Sequence, residues 1–158
     1  MNSQTRKTVV QGAAGAIEVT IDEPSGDTQA RQAKGVAVIA HPHPLFGGTM
    51  DNKVVQTLAR AFTQSGWTAV RFNFRGVGGS AGTHDEGLGE LEDMLAVVAA
   101  TAPEGMICLA GFSFGAFVTT HAFQRLTGSR NIDKLVLVGT SVTRSVAAPI
   151  APDRKSVV

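Results

Sequence analysis

The chain has 158 residues, of which 43% are hydrophobic and 17% charged, with a formal net charge of +1. This length predicts one domain with a real core, spanning residues 1–158. The balanced charge argues against a nucleic-acid partner, and no segment of the sequence approaches the roughly 20 apolar residues of a membrane span.

The N-terminal sequence does not have the pattern of a secretory signal. Only Val9 and Val10 follow Arg6 and Lys7 before the apolar stretch ends. We therefore expect a cytoplasmic protein. The single cysteine, Cys108, cannot form an internal disulfide, and its apolar neighbours predict a small buried core residue.

Five apolar runs have the length of strands. The first, residues 15–22, is more polar than the others, and we expect it to pair antiparallel with residues 8–10 at a sheet edge. The other four are short and continuous, which is typical of strands buried on both faces. These four runs cover residues 35–41, 68–74, 106–111 and 134–140.

Three helical patterns lie between these runs. Asp51 or Asn52 can cap the first helix, and Gly66 ends it. The second ends before Pro103, and the third runs from about residue 114 to 126. In the second helix the spacing predicts one apolar face made of Leu88, Leu91, Leu95 and Val98. The alternation of strands and helices predicts an α/β fold, with a mostly parallel sheet and helices on both faces.

The sequence Gly-Phe-Ser-Phe-Gly stands between the strand 106–111 and the third helix. Ser113 then falls on the strand-to-helix turn, where side chains at Gly111 and Gly115 would clash with the neighbouring strand or helix. A helix N-terminus favours developing negative charge, so the N–H of Phe114 is a candidate oxyanion donor. The alternative is that Ser113 only caps the helix.

A second oxyanion donor is expected in the loop His-Pro-His-Pro-Leu-Phe-Gly-Gly, which follows the strand 35–41. Pro42 and Pro44 have no N–H and cannot donate. Leu45 and Phe46 are the candidates, and Leu45 is preferred because it is the first to leave the proline-constrained segment.

Two histidines, His41 and His43, lie two residues apart in this loop. They could be metal ligands, but the sequence identifies no third ligand. We expect them instead to shape the oxyanion loop by hydrogen bonding, and we expect no metal.

The glycine-rich sequence after the strand 68–74 allows a different interpretation. From Gly76 to Ala81 it matches Gly-x-Gly-x-x-Ala, a form of the dinucleotide-binding fingerprint. However, the next helix does not begin there, and no acidic residue ends the following strand. A tight loop at the edge that carries Ser113 explains the glycines more simply, so no cofactor is expected.

Together these three loops, each at the C-terminal end of a strand, resemble the α/β-hydrolase superfamily, and in particular its small, capless bacterial predicted hydrolases. The resemblance extends from about residue 8 to about residue 152. It implies a nucleophile at Ser113, oxyanion donors at Phe114 and Leu45, and a catalytic acid and histidine later in the chain. A serine nucleophile favours hydrolysis of small-molecule esters or thioesters through an acyl-enzyme.

The sequence departs from this family pattern at the catalytic base. His121 is the only histidine after Ser113, and it is eight residues into the same helix, about 12 Å along its axis. An alternative base is His84, with Asp85 or Glu86 beside it. The family's acid and histidine are therefore not identified in this chain.

The end of the sequence also differs from the family pattern, which has about two further strand-and-helix units. We expect a C-terminally truncated and nearly inactive copy, with the strand 134–140 left as an apolar edge. The last six residues resemble the translated start of a sequencing-library adapter, which predicts that residues 153–158 are not native. The alternative to a hydrolase is a non-catalytic protein of the same fold that binds a ligand or partner.

Overall fold

A computed structural model describes residues 5–25 and 32–141 and the backbone of residues 156–157. Its strands form one sheet in the order β1-β2-β4-β3-β5-β6-β7. The strands are β1 (Thr5–Gly12), β2 (Gly15–Asp22), β3 (Val36–Ala40), β4 (Thr68–Phe72), β5 (Ile107–Phe112), β6 (Ile132–Val138) and β7 (Ser156–Val157), and the helices are α1 (Lys53–Gln64), α2 (Leu88–Thr101) and α3 (Phe114–Leu126).

The predicted α/β fold is confirmed. β3, β4, β5 and β6 are parallel, while β1 and β2 form an antiparallel hairpin in which Val9 faces Glu18. The hairpin lies at the sheet edge as expected, but β1 is its outermost strand. β2 pairs on its other side with β4, where Val19 faces Phe72.

Helices cover both faces of the sheet. Within β3, Val38 and Ala40 pack into the core under α2 and α3, whereas Ala37 and Ile39 pack into the core under α1. All four side chains are fully buried. This confirms that the continuous apolar run is a strand buried on both faces.

Asn52 is the N-cap of α1, because its side chain accepts hydrogen bonds from the N–H groups of Val54 and Val55 at 2.9 and 3.3 Å. The other capping candidate, Asp51, instead contacts the guanidinium of Arg71. The helix ends at Gln64, two residues before the predicted stop. Asn52, and not Asp51, therefore supplies the side-chain oxygen that caps the helix.

The apolar face predicted for α2 is wrong at its start. Leu88 is 75% exposed, whereas Glu90 and Asp93 are fully buried together with Met94. Hydrophobic periodicity considers only apolar side chains. It therefore could not predict that the side of the helix with these two carboxylates faces the protein interior.

The strand β6 is not the unpaired edge that the sequence predicts. Leu135 and Val136 pair in parallel with the backbone of residues 156–157, which supplies hydrogen bonds to that side of the strand. The remaining residues of the segment with adapter resemblance, 153–155 and 158, lie outside the described part of the chain. No helix among the described residues is long and apolar enough to span a membrane.

Candidate active site

Ser113 stands on the turn between β5 and α3 with a φ of 59° and a ψ of −116°. Among the described non-glycine residues, only Ser113 and Glu86 have a positive φ. Such a conformation costs on the order of 1–3 kcal/mol and persists only where the surroundings enforce it. Here the Ser113 N–H donates to the carbonyl of Val138 at 2.9 Å, and the Ser113 carbonyl accepts the N–H of Phe117 at 3.1 Å.

The two glycines of the motif allow this turn. A Cβ atom on Gly111 would lie 2.5 Å from the carbonyl carbon and oxygen of Gly115, at the start of α3. A Cβ atom on Gly115 would overlap the carbonyl oxygens of Ala40 and His41 at the end of β3. The absence of side chains therefore brings the N-terminus of α3 against the neighbouring strand.

The hydroxyl of Ser113 does not cap the helix that it precedes. Ser113 occupies the N-cap position of α3 but makes no side-chain capping hydrogen bond. Phe114 is the first helical residue, so its N–H has no acceptor within the helix. The side chain of Ser113 is half-buried. A hydroxyl and a helix N-terminus thus meet at the carboxyl edge of the sheet.

The loop after β3 contains a short 3-10 turn at Pro44–Phe46. The N–H of Leu45 donates to Nδ1 of His43 at 3.2 Å, and the N–H of Phe46 donates to the carbonyl of His43 at 3.1 Å. Both Leu45 and Phe46 have exposed side chains. The candidate donor at Leu45 is thus engaged by an imidazole of its own loop, and it must exchange that partner to bind a substrate oxygen.

His41 is fully buried at the end of β3. Its Nδ1 lies 2.7 Å from the carbonyl oxygen of Pro42, and its Nε2 lies 3.0 Å from the N–H of Phe74. A carbonyl can only accept, so the proton is on Nδ1 and Nε2 is the acceptor. Burial lowers the pKa of His41 from 6.5 to about 4. With both nitrogens occupied, this neutral imidazole has none left for a metal.

Two further imidazoles lie beside the residue that follows the nucleophile candidate. The ring centroid of His43 is 4.8 Å from that of Phe114, and the ring centroid of His84 is 5.6 Å from it. The two imidazole centroids are 5.0 Å apart. The loops after β3 and β4 thus bring both histidines to the edge of the sheet where α3 begins.

The carboxylate beside His84 belongs to Glu90, and not to Asp85 or Glu86. Nδ1 of His84 lies 3.0 Å from Oε2 of Glu90. The same carboxylate accepts the N–H groups of Asp85 and Gly87 at 2.8 and 2.9 Å. A glutamate in the first turn of a helix can reach back to the preceding loop in this way.

His121 contacts a different part of α3. Its ring centroid is 5.0 Å from that of Phe117, on the nucleophile candidate's own helix. A buried ion pair between Arg75, in the loop after β4, and Asp93 of α2 was not identified from the sequence. Three hydrogen bonds of 2.9 to 3.2 Å join the main-chain and side-chain N–H groups of Arg75 to this carboxylate.

The glycine-rich loop after β4 surrounds a carboxylate of its own chain. Oε1 of Glu18 accepts the N–H of Gly79 and the amide N–H of Asn73, both at 2.8 Å. The bond from Gly79, followed by the bond from Asn73, lowers the pKa of Glu18. Because a carboxylate occupies a donor that a phosphate would need, and α2 begins only at Leu88, this geometry disfavours dinucleotide binding. The described residues contain no cluster of three or more His, Cys, Asp or Glu side chains that could hold a metal.

The sheet order, the turn at Ser113 and the helices on both faces define a class of protein. The family model for the alpha/beta hydrolase fold matches residues 43–156. The chain belongs to this family.

Solved structures from two bacteria resemble the chain closely. One, from Xanthomonas campestris, is described as an α/β serine hydrolase without a lid; it is 35% identical, with a TM-score of 0.85 over 99% of this chain and 70% of its own. Another, an α/β serine hydrolase homologue from Coxiella burnetii, is 41% identical, with a TM-score of 0.77 over 91% of this chain and 66% of its own.

A curated relative, an uncharacterized protein of Rickettsia prowazekii, is 37% identical over 120 residues. The match covers 68% of this chain and 50% of that protein. The chain thus spans about half the length of its curated relative.

Proposed function

We propose that the chain carries the nucleophile of a serine-dependent acyl hydrolase that acts on small-molecule esters or thioesters. The observation that carries this proposal is the strained turn at Ser113, whose hydroxyl makes no capping bond. The likeness to the Xanthomonas protein, described as an α/β serine hydrolase, supports it at 35% identity. A cytoplasmic location stays a prediction.

The chemistry follows from the position of the hydroxyl. Oγ of Ser113 attacks the carbonyl carbon of the substrate, and the carbonyl oxygen becomes an oxyanion. The N–H of Phe114 at the helix N-terminus stabilises this charge, and the N–H of Leu45 is the proposed second donor. Expulsion of the alcohol or thiol leaves an acyl-enzyme, which water then hydrolyses.

The second donor requires a local rearrangement. The Leu45 N–H is 3.2 Å from Nδ1 of His43, so it must leave that nitrogen before it can bind an oxyanion. Phe46 is less suited to this role because its N–H closes the 3-10 turn. In this proposal, His41 and His43 shape the loop, and Gly111 and Gly115 provide the space for the turn.

A fluorophosphonate probe tests the proposal because it reacts with activated serines. In the full-length protein, we expect covalent labelling that is lost in Ser113→Ala. The matched control is Ser129→Ala, which removes a hydroxyl beyond the far end of α3 and should be labelled as the unchanged protein is. Labelling that survives Ser113→Ala would contradict the proposal. No labelling at all would favour the alternative, a non-catalytic protein of this fold that binds a ligand or a partner.

A further inference from the structure

The outermost strand, β1, has a neighbour on one side only among the strands that the structure describes. It extends over eight residues, and its Val9 is 57% exposed. A strand in this position carries unpaired N–H and C=O groups that can pair with another chain. Because β7 lies at the opposite edge of the sheet, a strand added beside β7 would not cover β1.

The hydrogen bonds of Glu18 show which groups of β1 face outward. Glu18 is the residue of β2 that lies opposite Val9. Its N–H donates to Oγ of Ser80 at 2.9 Å, and its C=O accepts the N–H of Asn73 at 3.0 Å. Since neither group is directed to β1, Val9 and Glu18 form a non-hydrogen-bonded pair. The N–H and C=O of Val9 therefore point to the open side of β1.

The charges of β1 restrict how it can pair with a second copy of itself. Its only charged residues are Arg6 and Lys7. A two-fold axis through an antiparallel pair places one residue opposite its own copy. With Lys7 on the axis, two ammonium groups would lie opposite each other, which is destabilising. With Val9 on the axis, Lys7 lies opposite Gln11 of the second copy. Arg6 then lies opposite its Gly12, and no like charges are paired.

The like charges of the two copies are also far apart in this register. The two Lys7 residues are offset by four residues, which is about 14 Å at roughly 3.4 Å per residue. This distance exceeds the Debye length of about 8 Å at physiological ionic strength. Within its own hairpin, Lys7 lies near Glu18. After the hydrogen bonds from Gly79 and Asn73, the charge of Lys7 contributes to the lowered pKa of this carboxylate.

A groove beside β1 lies on the face of the sheet that α2 covers. It has a volume of about 550 Å³, and Thr8, Val10 and Thr101 are among its lining residues. Residues directly opposite each other in a sheet project to the same face. With Val9 on the axis, Thr8 of the second copy lies opposite Val10, so each copy places a threonine side chain beside the groove of the other.

We propose that two copies of this protein pair through β1 about a two-fold axis at Val9, which joins their sheets into one. At the axis, each Val9 donates its N–H to the C=O of the other, and the two valine side chains lie against each other. The pairing covers the open side of β1 in both copies. It does not depend on the role proposed for Ser113.

The molar mass in solution tests this proposal. Light scattering of the full-length protein, over a series of concentrations, should give the mass of two chains. Val9→Asp places two carboxylates opposite each other, and we expect the dissociation constant to rise on the order of 10-fold or more. Val9→Thr keeps the β-branched shape and should remain a dimer. The matched control is Leu88→Asp, which removes another exposed apolar side chain and should also remain a dimer. Circular dichroism verifies that each variant is folded.

Oxidative cross-linking tests the register. In Val9→Cys the two Cα atoms at the axis should be about 5.5 Å apart, a distance that a disulfide can span. We expect a covalent dimer on a non-reducing gel. In Lys7→Cys the two cysteines are offset by about 14 Å along the strands and should not cross-link. The mass of a single chain at every concentration would overturn the proposal. A dimer that Val9→Asp does not weaken, or equal cross-linking of the two cysteine variants, would overturn it as well.

Discussion

Nε2 of His41, at the end of β3, accepts the main-chain N–H of Phe74, just after β4, at 3.0 Å. The ring centroids of these two residues are 4.8 Å apart, in an edge-to-face arrangement. Through Nδ1 the same imidazole bonds to the carbonyl of Pro42. A single neutral side chain thus joins the loops that carry His43 and His84, and its protonation should loosen both.

Stability should therefore depend on the charge of His41. Burial lowers its pKa from 6.5 to about 4, so between these values the unfolded chain binds a proton that the folded chain does not. The free energy of unfolding should accordingly fall as the pH decreases from about 6.5 to about 4, by at most about 3 kcal/mol. Urea unfolding at a series of pH values in this window measures the effect.

The variant His41→Gln separates the contribution of His41 to the pH dependence of stability from that of the carboxylates. Glutamine can accept the Phe74 N–H but carries no proton in this range. We expect it to be less stable than the unchanged protein near neutral pH, with a difference that shrinks as the pH falls. Parallel loss of stability in the two proteins would show that His41 is not the group responsible.

A methyl group at Gly115 should be poorly tolerated. Its Cβ would overlap the carbonyl oxygens of Ala40 and His41, which are main-chain atoms that cannot rotate away. We expect Gly115→Ala to lower the free energy of unfolding by about 3 kcal/mol, near the upper end for overpacked sites. Urea unfolding gives this value, and fluorophosphonate labelling reports whether the turn still presents Ser113.

Gly128→Ala is the matched control because a Cβ there would have no neighbour within 4 Å. Its stability should stay within about 0.5 kcal/mol of the unchanged protein. Equal tolerance of both substitutions would mean that close approach of α3 to β3 does not determine the turn.

The buried ion pair between Arg75 and Asp93 should contribute more to the free energy of unfolding than the exposed pair between Glu92 and Arg125 does. Arg75 and Asp93 are 12% and 1% exposed, and their guanidinium and carboxylate are 2.9 Å apart at the closest atoms. The bond to Asp93 raises the pKa of Arg75. Because Asp93→Asn leaves a largely buried cation without its counterion, we expect a loss of about 3 kcal/mol in urea unfolding.

The comparison for this pair is Glu92→Gln, one residue away on α2. Glu92 is 50% exposed and lies 3.6 Å from Arg125, which is 55% exposed. Solvent screens such pairs, so a change of no more than about 0.5 kcal/mol is expected. Similar losses in the two variants would contradict a special role for the buried pair.

These buried charges also show where the sequence is uninformative. The run Val36–Ala40 predicts a strand because hydrophobic residues on both sides require burial on both faces. Glu90 and Asp93 carry no such pattern, since their burial depends on partners that tertiary packing brings from the preceding loop. The turn at Ser113 can be predicted from the sequence because the spacing of its glycines is a local pattern. The acid beside His84 cannot be predicted in this way, because proximity in sequence favours Asp85 and Glu86.

The reactivity of Cys108 tests whether the sheet opens near β5 in the native protein. Its thiol is fully buried within β5, and burial raises its pKa to about 11. Thiol reagents require an accessible thiolate, which this site does not provide at about pH 8. We expect no reaction of the native protein with Ellman's reagent and stoichiometric reaction once urea has unfolded it.

An exposed thiol supplies the positive control for this experiment. Ser129→Cys in a Cys108→Ala background places a cysteine in an exposed turn after α3, and it should react at once in the native protein. Rapid reaction of Cys108 itself under native conditions would mean that the sheet opens near β5. Because β5 leads directly into Ser113, such opening would also predict weak and heterogeneous labelling of the serine.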